Sequence, residues 1–370
     1  MMNPFGKTQM RKKSQKLAPI IVAALLTLLL TIHLYLSFIG GATPTFVSRA
    51  NYKRGAECDL FAGEWVRNPE GPYYTNETCD AIQEHQNCMK FGRPDTDYLK
   101  WRWKPDACDL PLFQPHLFLQ MVKGKSLAFI GDSVAINHMQ SLICLLSKHD
   151  FNITIFWTPF LVKTGTIDPS HGRPFDLYLD EFDDTWSNQI AHFDYLIISA
   201  GPWFFRPSYF HLNRRLHGCL YCPEPDSNIT HLAPAFAYRH AFRTAFRAIH
   251  AAAGYRGVTF VRTYAPSHFE GGAWDNGGDC VRKTPFTRNQ TTLAEGASEF
   301  HTIQLEEQEI ARRAGRLTGG KPDGHPSKYG HLPGANVVLR NDCVHWCLPG
   351  PIDAWSDFLQ ELLRREIQHN

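Results

Sequence analysis

Polarity divides the start of the chain sharply. Residues 1–16 carry Lys7, Arg11, Lys12, Lys13 and Lys16 and no acid. Residues 17–39, LAPIIVAALLTLLLTIHLYLSFI, are 23 positions without Asp, Glu, Lys or Arg. At about 1.5 Å per residue this run crosses a bilayer core of about 30 Å with some tilt. The basic flank on its N-terminal side predicts a cytosolic tail and a type II signal anchor. A cleaved signal peptide is the competing reading; the length of the run and the lack of a clear A-x-A site stand against it. A short stem over residues 40–56 follows, then a Cys- and Trp-rich lobe over 57–110 with little periodicity.

From residue 111 to 370 the pattern changes to alternating strands and helices. Short apolar runs predict strands at Ser126–Ile130, Ile153–Trp157, Tyr195–Ser199 and Val258–Thr263. Apolar residues at helical spacing predict helices at Val134–Ser147, His231–Ala253 and Asp353–Ile367; in the last, Trp355, Phe358, Leu359, Leu362 and Leu363 share one face. Glu299–Arg316 is largely polar and reads as a surface helix. Strands alternating with helices predict an α/β domain with a parallel central sheet and helices on both faces.

Charge and cysteine usage narrow the picture. The whole chain is +2; subtracting the tail's +5 leaves residues 17–370 near −3, with no block of like charge. Nucleic-acid binding is thereby disfavoured. Ten cysteines lie beyond the apolar run and none before it: Cys58, Cys79, Cys88, Cys108, Cys144, Cys219, Cys222, Cys280, Cys343 and Cys347. An even count on the oxidising side of a membrane predicts disulfides. Zinc at Cys219-x-x-Cys222 is the competing reading, but no second pair stands at zinc-finger spacing, and no metal is expected. Sequons at Asn76, Asn152, Asn228 and Asn289 fit luminal glycosylation.

The chemistry centres on two short motifs. Gly131-Asp132-Ser133 sits between a strand and a helix. Such a turn presents a nucleophile in many hydrolases, yet Asp132 or Ser133 also fits a plain N-cap. Near the C-terminus, Asp342 and His345 stand three apart, so one helical turn places both side chains together. A serine needs a base, and the base needs an orienting acceptor. The bland alternative is a turn capped by Asp342 with His345 packed on Trp346. Loops after the predicted strands carry Gly201, a candidate backbone donor to an oxyanion beside Gly131, Asp132 and Asn137. They also carry Trp203 and Trp274, which with Trp346 are candidate sugar-stacking residues.

CDLFAGEWVRNPEGPYYTNETC, KWRWKPDACDLP, the GDS, HFEGGAWDNGGDC, KPDGHPSKYGHLP and NDCVHWCLPGPIDAW stand in this order along the chain. Over about residues 57–368 the chain resembles the plant trichome birefringence-like proteins with their PC-esterase domain. EHQNCMKFGRPDTDYLKWRWKP, Cys219/Cys222 and DNGGDCVRKTPF resemble its xyloglucan O-acetyltransferase branch. The resemblance implies a three-layer GDSL/SGNH-like domain on a single-pass type II Golgi membrane protein. It implies transfer of acetyl from acetyl-CoA or another carrier, a co-substrate rather than a bound cofactor, to xyloglucan or another hemicellulose. Ser133 would be the acyl-carrying nucleophile, His345 the base and Asp342 its partner. The implied disulfides are Cys58–Cys108, Cys79–Cys144, Cys88–Cys347, Cys280–Cys343 and a local Cys219–Cys222.

Two positions depart from the family pattern. Where it commonly reads GDSxxRNQ, this chain has Ile136, then Asn137-His138; where it reads Gly-His-Trp, this chain has Gly201-Pro202-Trp203. Pro202 brings no N–H. An impaired wall-polysaccharide binder is therefore one alternative reading; a polysaccharide acetyl esterase, which would use the same triad, is the other.

Overall fold

The buried apolar runs assemble as predicted into a parallel sheet, now within a longer order of elements. The computed structural model describes residues 58–90, 93, 95–165, 174–222, 228–290, 295–313 and 342–369. The expected tail, anchor and stem, and the KPDGHPSKYGHLP stretch, lie outside the described residues. Among the described residues no helix is long and apolar enough to cross a membrane.

The elements, in chain order, begin with β1 (Gly63–Arg67), β2 (Trp101–Pro105), α1 (Pro115–Met121), β3 (Leu127–Gly131) and α2 (Ser133–Leu145). Then come β4 (Ile153–Trp157), β5 (Val162–Thr164), β6 (Phe175–Phe182), β7 (Tyr195–Ser199), β8 (Ser208–Leu212) and β9 (Arg215–Leu220). Last are α3 (Pro234–Ala251), β10 (Val258–Val261), α4 (Glu295–Arg313) and α5 (Ala354–His369). The central sheet has the order β10-β7-β3-β4, with every pair parallel.

Alternation along the inner strands sorts side chains to two cores. Ala128 and Ile130 of β3 and Leu196 and Ile198 of β7 face a core shared with α3 and α4. Leu127, Phe129, Tyr195 and Ile197 face the opposite core, with α1, α2 and α5. The sheet thus lies between two layers, as the parallel-sheet reading requires. Full burial of each large apolar side chain contributes about 1.5–3 kcal/mol, and α2 is held by Val134, Leu142 and Leu145.

A second sheet, β5-β6-β8-β9, was not foreseen. Its signal was present: Phe175, Leu177 and Leu179 are buried and alternate with Asp176, Tyr178 and Asp180. The expected surface helix at Glu299–Arg316 needs correction. It runs Glu295–Arg313 and buries a face on α3. Phe300 stacks on Tyr238 with ring centroids 3.8 Å apart. Glu307, 1% exposed, pairs with Arg239 and Arg243 at 3.2 and 2.6 Å. A carboxylate buried by another helix's arginines reads as surface in a polarity pattern.

The lobe contains an antiparallel pair of strands, β1 and β2, and packs on α5. Phe61 stacks on Phe358 at 5.3 Å, and Trp103 Nε1 donates to the Leu60 carbonyl. The structure contains all five implied disulfides. Cys79–Cys144 ties the lobe to α2, and Cys88–Cys347 ties it to the C-terminal turn. Ligand atoms of Cys219, Cys222 and His231 lie within 4.8 Å of one another, and the two sulfurs are joined.

Lobe tyrosines also bond two buried carboxyls at the start of α5. Tyr74 Oη and Ser141 Oγ donate to Asp353 Oδ1 at 2.7 and 2.5 Å. Tyr73 Oη and the Phe113 N–H donate to Asp357 Oδ1 at 2.5 and 2.9 Å. Burial pushes Asp353 up to about 6 and Asp357 up to about 8. An acid raised in the folded state favours folding below its unfolded pKa, and that contribution is lost as pH rises through the folded value. Thermal stability is therefore expected to fall between about pH 4 and 8. Asp357→Asn should flatten the fall in melting-temperature scans. An unchanged slope in the variant would count against an ionising Asp357.

Candidate active site

Gly131 makes the first turn of the site possible. A Cβ there would lie 1.7 Å from the Ser199 carbonyl oxygen, so only glycine lets β3 pass β7 at this point. The Asp132 N–H donates to that same oxygen at 3.2 Å. Asp132, and not Ser133, is the N-cap of α2: its Oδ1 accepts from the Val134 N–H at 3.0 Å. The ambiguity left by the sequence is thus resolved at the level of local structure. The cap role is taken, and Ser133 begins α2 partly exposed between buried neighbours.

Asp132 Oδ2 accepts from the Gly201 N–H at 2.8 Å. A Cβ on Gly201 would meet the Tyr264 ring at 2.2 Å, so this approach also needs glycine. Burial raises the Asp132 pKa, while the Arg262 charge and backbone N–H groups oppose the rise. Arg262 is itself buried, and burial lowers it to about 10. Its guanidinium donates to Ser199 Oγ and to the Thr263 carbonyl, and lies 4.8 Å from the Trp355 ring centroid. A buried carboxylate and a buried guanidinium thus stiffen the turn below Ser133.

The second half is a turn built on Asp342. Its Oδ1 accepts from the Val344 and His345 N–H groups at 3.1 and 3.0 Å. Its Oδ2 lies 2.9 Å from His345 Nδ1. The acceptor fixes the ring and leaves Nε2 as the basic nitrogen. Nε2 is buried and has no hydrogen-bond partner among the described residues. The turn is clamped on both sides, through Cys343–Cys280 and Cys347–Cys88, and by Leu348 N–H donating to Gln86 O.

Asn137 joins the two halves. Its Oδ1 accepts from the Trp346 N–H at 2.6 Å, and its Nδ2 donates to the Trp346 carbonyl at 3.2 Å. Asn137 is about one helical turn, roughly 5.4 Å, along α2 from Ser133. Trp346 directly follows His345. The clamp ties the turn that carries His345 to the helix that begins with Ser133, whose first residue follows β3 at the C-terminal ends of the sheet's strands, where ligands of such sheets bind. Ser133 Oγ and His345 Nε2 are not hydrogen-bonded to each other; such contacts often tighten only with substrate.

The remaining candidates fall into place unevenly. The single Gly201 N–H is committed to Asp132, so it supports the site and is not a free oxyanion donor; Asn137 holds the Trp346 backbone with Oδ1 and one Nδ2–H. The Ser133 N–H at the start of α2 is the donor left at the turn, where the helix dipole favours an anion. Trp346 needs correction as a sugar contact. It is 4% exposed, stacked on His268 at 4.4 Å and packed against Trp355. Trp203 is partly buried against Phe160 and Phe175, and Trp274 is 61% exposed. Ile136 lies partly exposed on the Ser133 side of α2, and Pro202 opens a short 3₁₀ turn over Pro202–Phe205.

Three nearby residues were missed by pattern alone. His85 of the lobe places its ring 6.1 Å from that of His345; its signal was its place three residues before Cys88. Trp157 ends β4 opposite Gly131; its signal was the end of a strand next to the GDS strand. Arg262 left no signal, because a buried cation looks like any surface arginine.

Two family models match this chain. The PC-esterase model, described as a GDSL/SGNH-like acyl-esterase family found in Pmr5 and Cas1p, matches residues 110–149 and 146–362. The PMR5 N-terminal domain model matches residues 56–109. Protein trichome birefringence-like 19 of Arabidopsis thaliana is 48% identical, covering 96% of this chain and 94% of its own. Xyloglucan O-acetyltransferase 4 of Populus trichocarpa is 41% identical over 85% of this chain and 83% of its own. Xyloglucan O-acetyltransferase 2 of Arabidopsis thaliana is 41% identical, covering 84% and 83% respectively. With this sheet, these disulfides and these matches, the chain belongs to the trichome birefringence-like family of PC-esterase-domain proteins.

Proposed function

We propose that this protein transfers acetyl groups to hydroxyls of a plant wall polysaccharide, with xyloglucan the first candidate. The observation that carries the reading is the Asp342–His345 pair, clamped through Asn137 to the helix that begins with Ser133. The names of the relatives support the acceptor class. Residues 17–39 would anchor the chain in a Golgi membrane, with the site on the luminal side.

His345 Nε2 takes the Ser133 proton as Oγ attacks the acetyl carbonyl of the donor. The tetrahedral oxyanion forms near the Ser133 N–H, and its collapse expels the donor's leaving group, which takes the proton from His345. A sugar hydroxyl then attacks the acetyl-serine and gives its proton to His345. That proton returns to Ser133 Oγ as the acetylated sugar leaves. Asp342 holds the ring and stabilises the imidazolium formed in each half. Acetyl-CoA or another acetyl carrier would serve as donor. Water in place of the sugar hydroxyl would make the same machinery an esterase.

A second reading rests on two residues. Ile136 and Pro202 leave the site short of donors, and losing one oxyanion donor costs about 10²–10³ in rate. An impaired copy would bind wall glycans without modifying them. Purified full-length chain, incubated with an acetyl donor and deacetylated xyloglucan oligosaccharides, is expected to add acetyl groups detectable by mass. Loss of acetyl from a pre-acetylated oligosaccharide with no addition supports the esterase. Binding without either reaction supports the impaired copy, which Ile136→Arg with Pro202→His should then restore.

A further inference from the structure

Trp157 stands on the strand beside the turn that carries Ser133. It ends the edge strand β4, and its Cα is the register partner of Gly131. The next residue, Thr158, donates its N–H to the Gly131 carbonyl at 2.9 Å. Its backbone is therefore one strand spacing, about 4.8 Å, from the turn that carries Ser133. Yet the side chain is 41% exposed. An indole left this open keeps apolar surface in water beside that turn.

The indole is also held in place. Trp203 meets it at 5.4 Å and 82°, edge to face. Trp203 is wedged in turn against Phe160 at 6.0 Å and Phe175 at 5.8 Å. The Arg206 guanidinium covers Trp203 at 5.4 Å. Pro202 starts the short turn that carries Trp203, with φ preset for it. One partly buried tryptophan thus braces an exposed one beside the nucleophile. Preorganised aromatic surface of this kind loses little entropy on binding.

Resting on the acetyl-transfer reading above, the geometry points to Trp157 as the platform on which the acceptor glycan stacks at Ser133, with Trp203 as the positioning residue behind it. The C–H face of a pyranose ring lies against an indole, and the indole N–H reaches a hydroxyl. The platform acts on the acceptor half of the reaction alone. It holds a sugar ring so that one hydroxyl faces the acetyl-serine.

The test uses the full-length chain, xyloglucan oligosaccharides as acceptor and 4-nitrophenyl acetate as the probe of acyl-enzyme formation. Trp157→Ala is expected to raise the acceptor KM and the oligosaccharide Kd about tenfold, which is about 1.4 kcal/mol. The 4-nitrophenyl acetate burst should stay within about twofold of wild type. Trp157→Phe should keep most of the affinity. Trp157→Thr, which suits an edge strand, should behave as the alanine variant and serves if that variant folds poorly. Tyr221→Ala, at a position 59% exposed on the turn after β9, should change nothing. An unchanged acceptor KM and Kd in folded Trp157→Ala or Trp157→Thr overturns the proposal. So does a burst or donor affinity that falls in step with acceptor affinity. If the wild type binds oligosaccharide through Trp157 but transfers no acetyl, the transfer reading fails and the platform stands.

Discussion

Ser133→Ala is expected to abolish acetyl transfer, with a loss in kcat of roughly 10⁶ if the serine acts as nucleophile in a concerted set. The expectation comes from the division of labour at the turn. Asp132 caps α2, so removing the Ser133 hydroxyl leaves that cap intact. The variant should fold and melt as the wild type does. His345→Ala should cost nearly as much, and the double variant little more, because the two act as one unit. Asp342→Asn should cost less, about 10⁴, through the wrong tautomer and a looser ring. With donor alone, rapid quenching and peptide mass analysis should find acetyl on Ser133 in the wild type. None should accumulate in His345→Ala. If Ser133→Ala keeps substantial transfer activity, the nucleophile lies elsewhere and the mechanism falls.

Breaking Cys88–Cys347 should produce the second large effect, on stability and rate together. This bridge joins residues 259 positions apart and fixes the turn that carries His345 to the lobe. Cys347 directly follows Trp346, whose backbone both ends of the Asn137 amide hold. A native disulfide contributes about 2–5 kcal/mol, and the paired Cys88→Ser and Cys347→Ser variant should lose stability in that range. It should also lose turnover beyond what unfolding explains, measured where the protein is still folded. Cys58–Cys108, with a separation of 50, ties only the lobe to itself and is the control. Its paired serine variant should lose comparable stability with less loss of turnover per folded molecule. Equal losses of turnover in both would show that the lobe stabilises the fold without holding the base.

The legible part of the fold was what periodicity records. The four strands of the parallel sheet and helices α2, α3 and α5 followed from the apolar pattern, because both faces of such a sheet are covered; α1 was not foreseen and the buried face of α4 was missed. The second sheet was legible in principle in Phe175–Phe182, but its partners β5, β8 and β9 are short and irregular, with register shifts between strands. Asp353 and Asp357 show the limit from the other side. Within the sequence they are acids at the start of a helix, where a dipole favours them. Only the fold brings Tyr73, Tyr74 and Ser141 to them.

For the site, the sequence by itself determined the chemical groups: a serine at a strand–helix turn, an Asp and a His three apart, and glycines at both close approaches. These are local, since spacing along one chain fixes a turn. Tertiary structure alone decided which donors remain free and which tryptophans meet solvent; the helix cap itself is a local bond from the Val134 N–H to Asp132 Oδ1, two residues apart. Trp346 went into the core and Trp157 stayed open because burial is set by neighbours from distant segments. Asn137 reaches 209 residues along the chain to hold Trp346, and no local pattern encodes a contact whose energy exists only after both segments have packed.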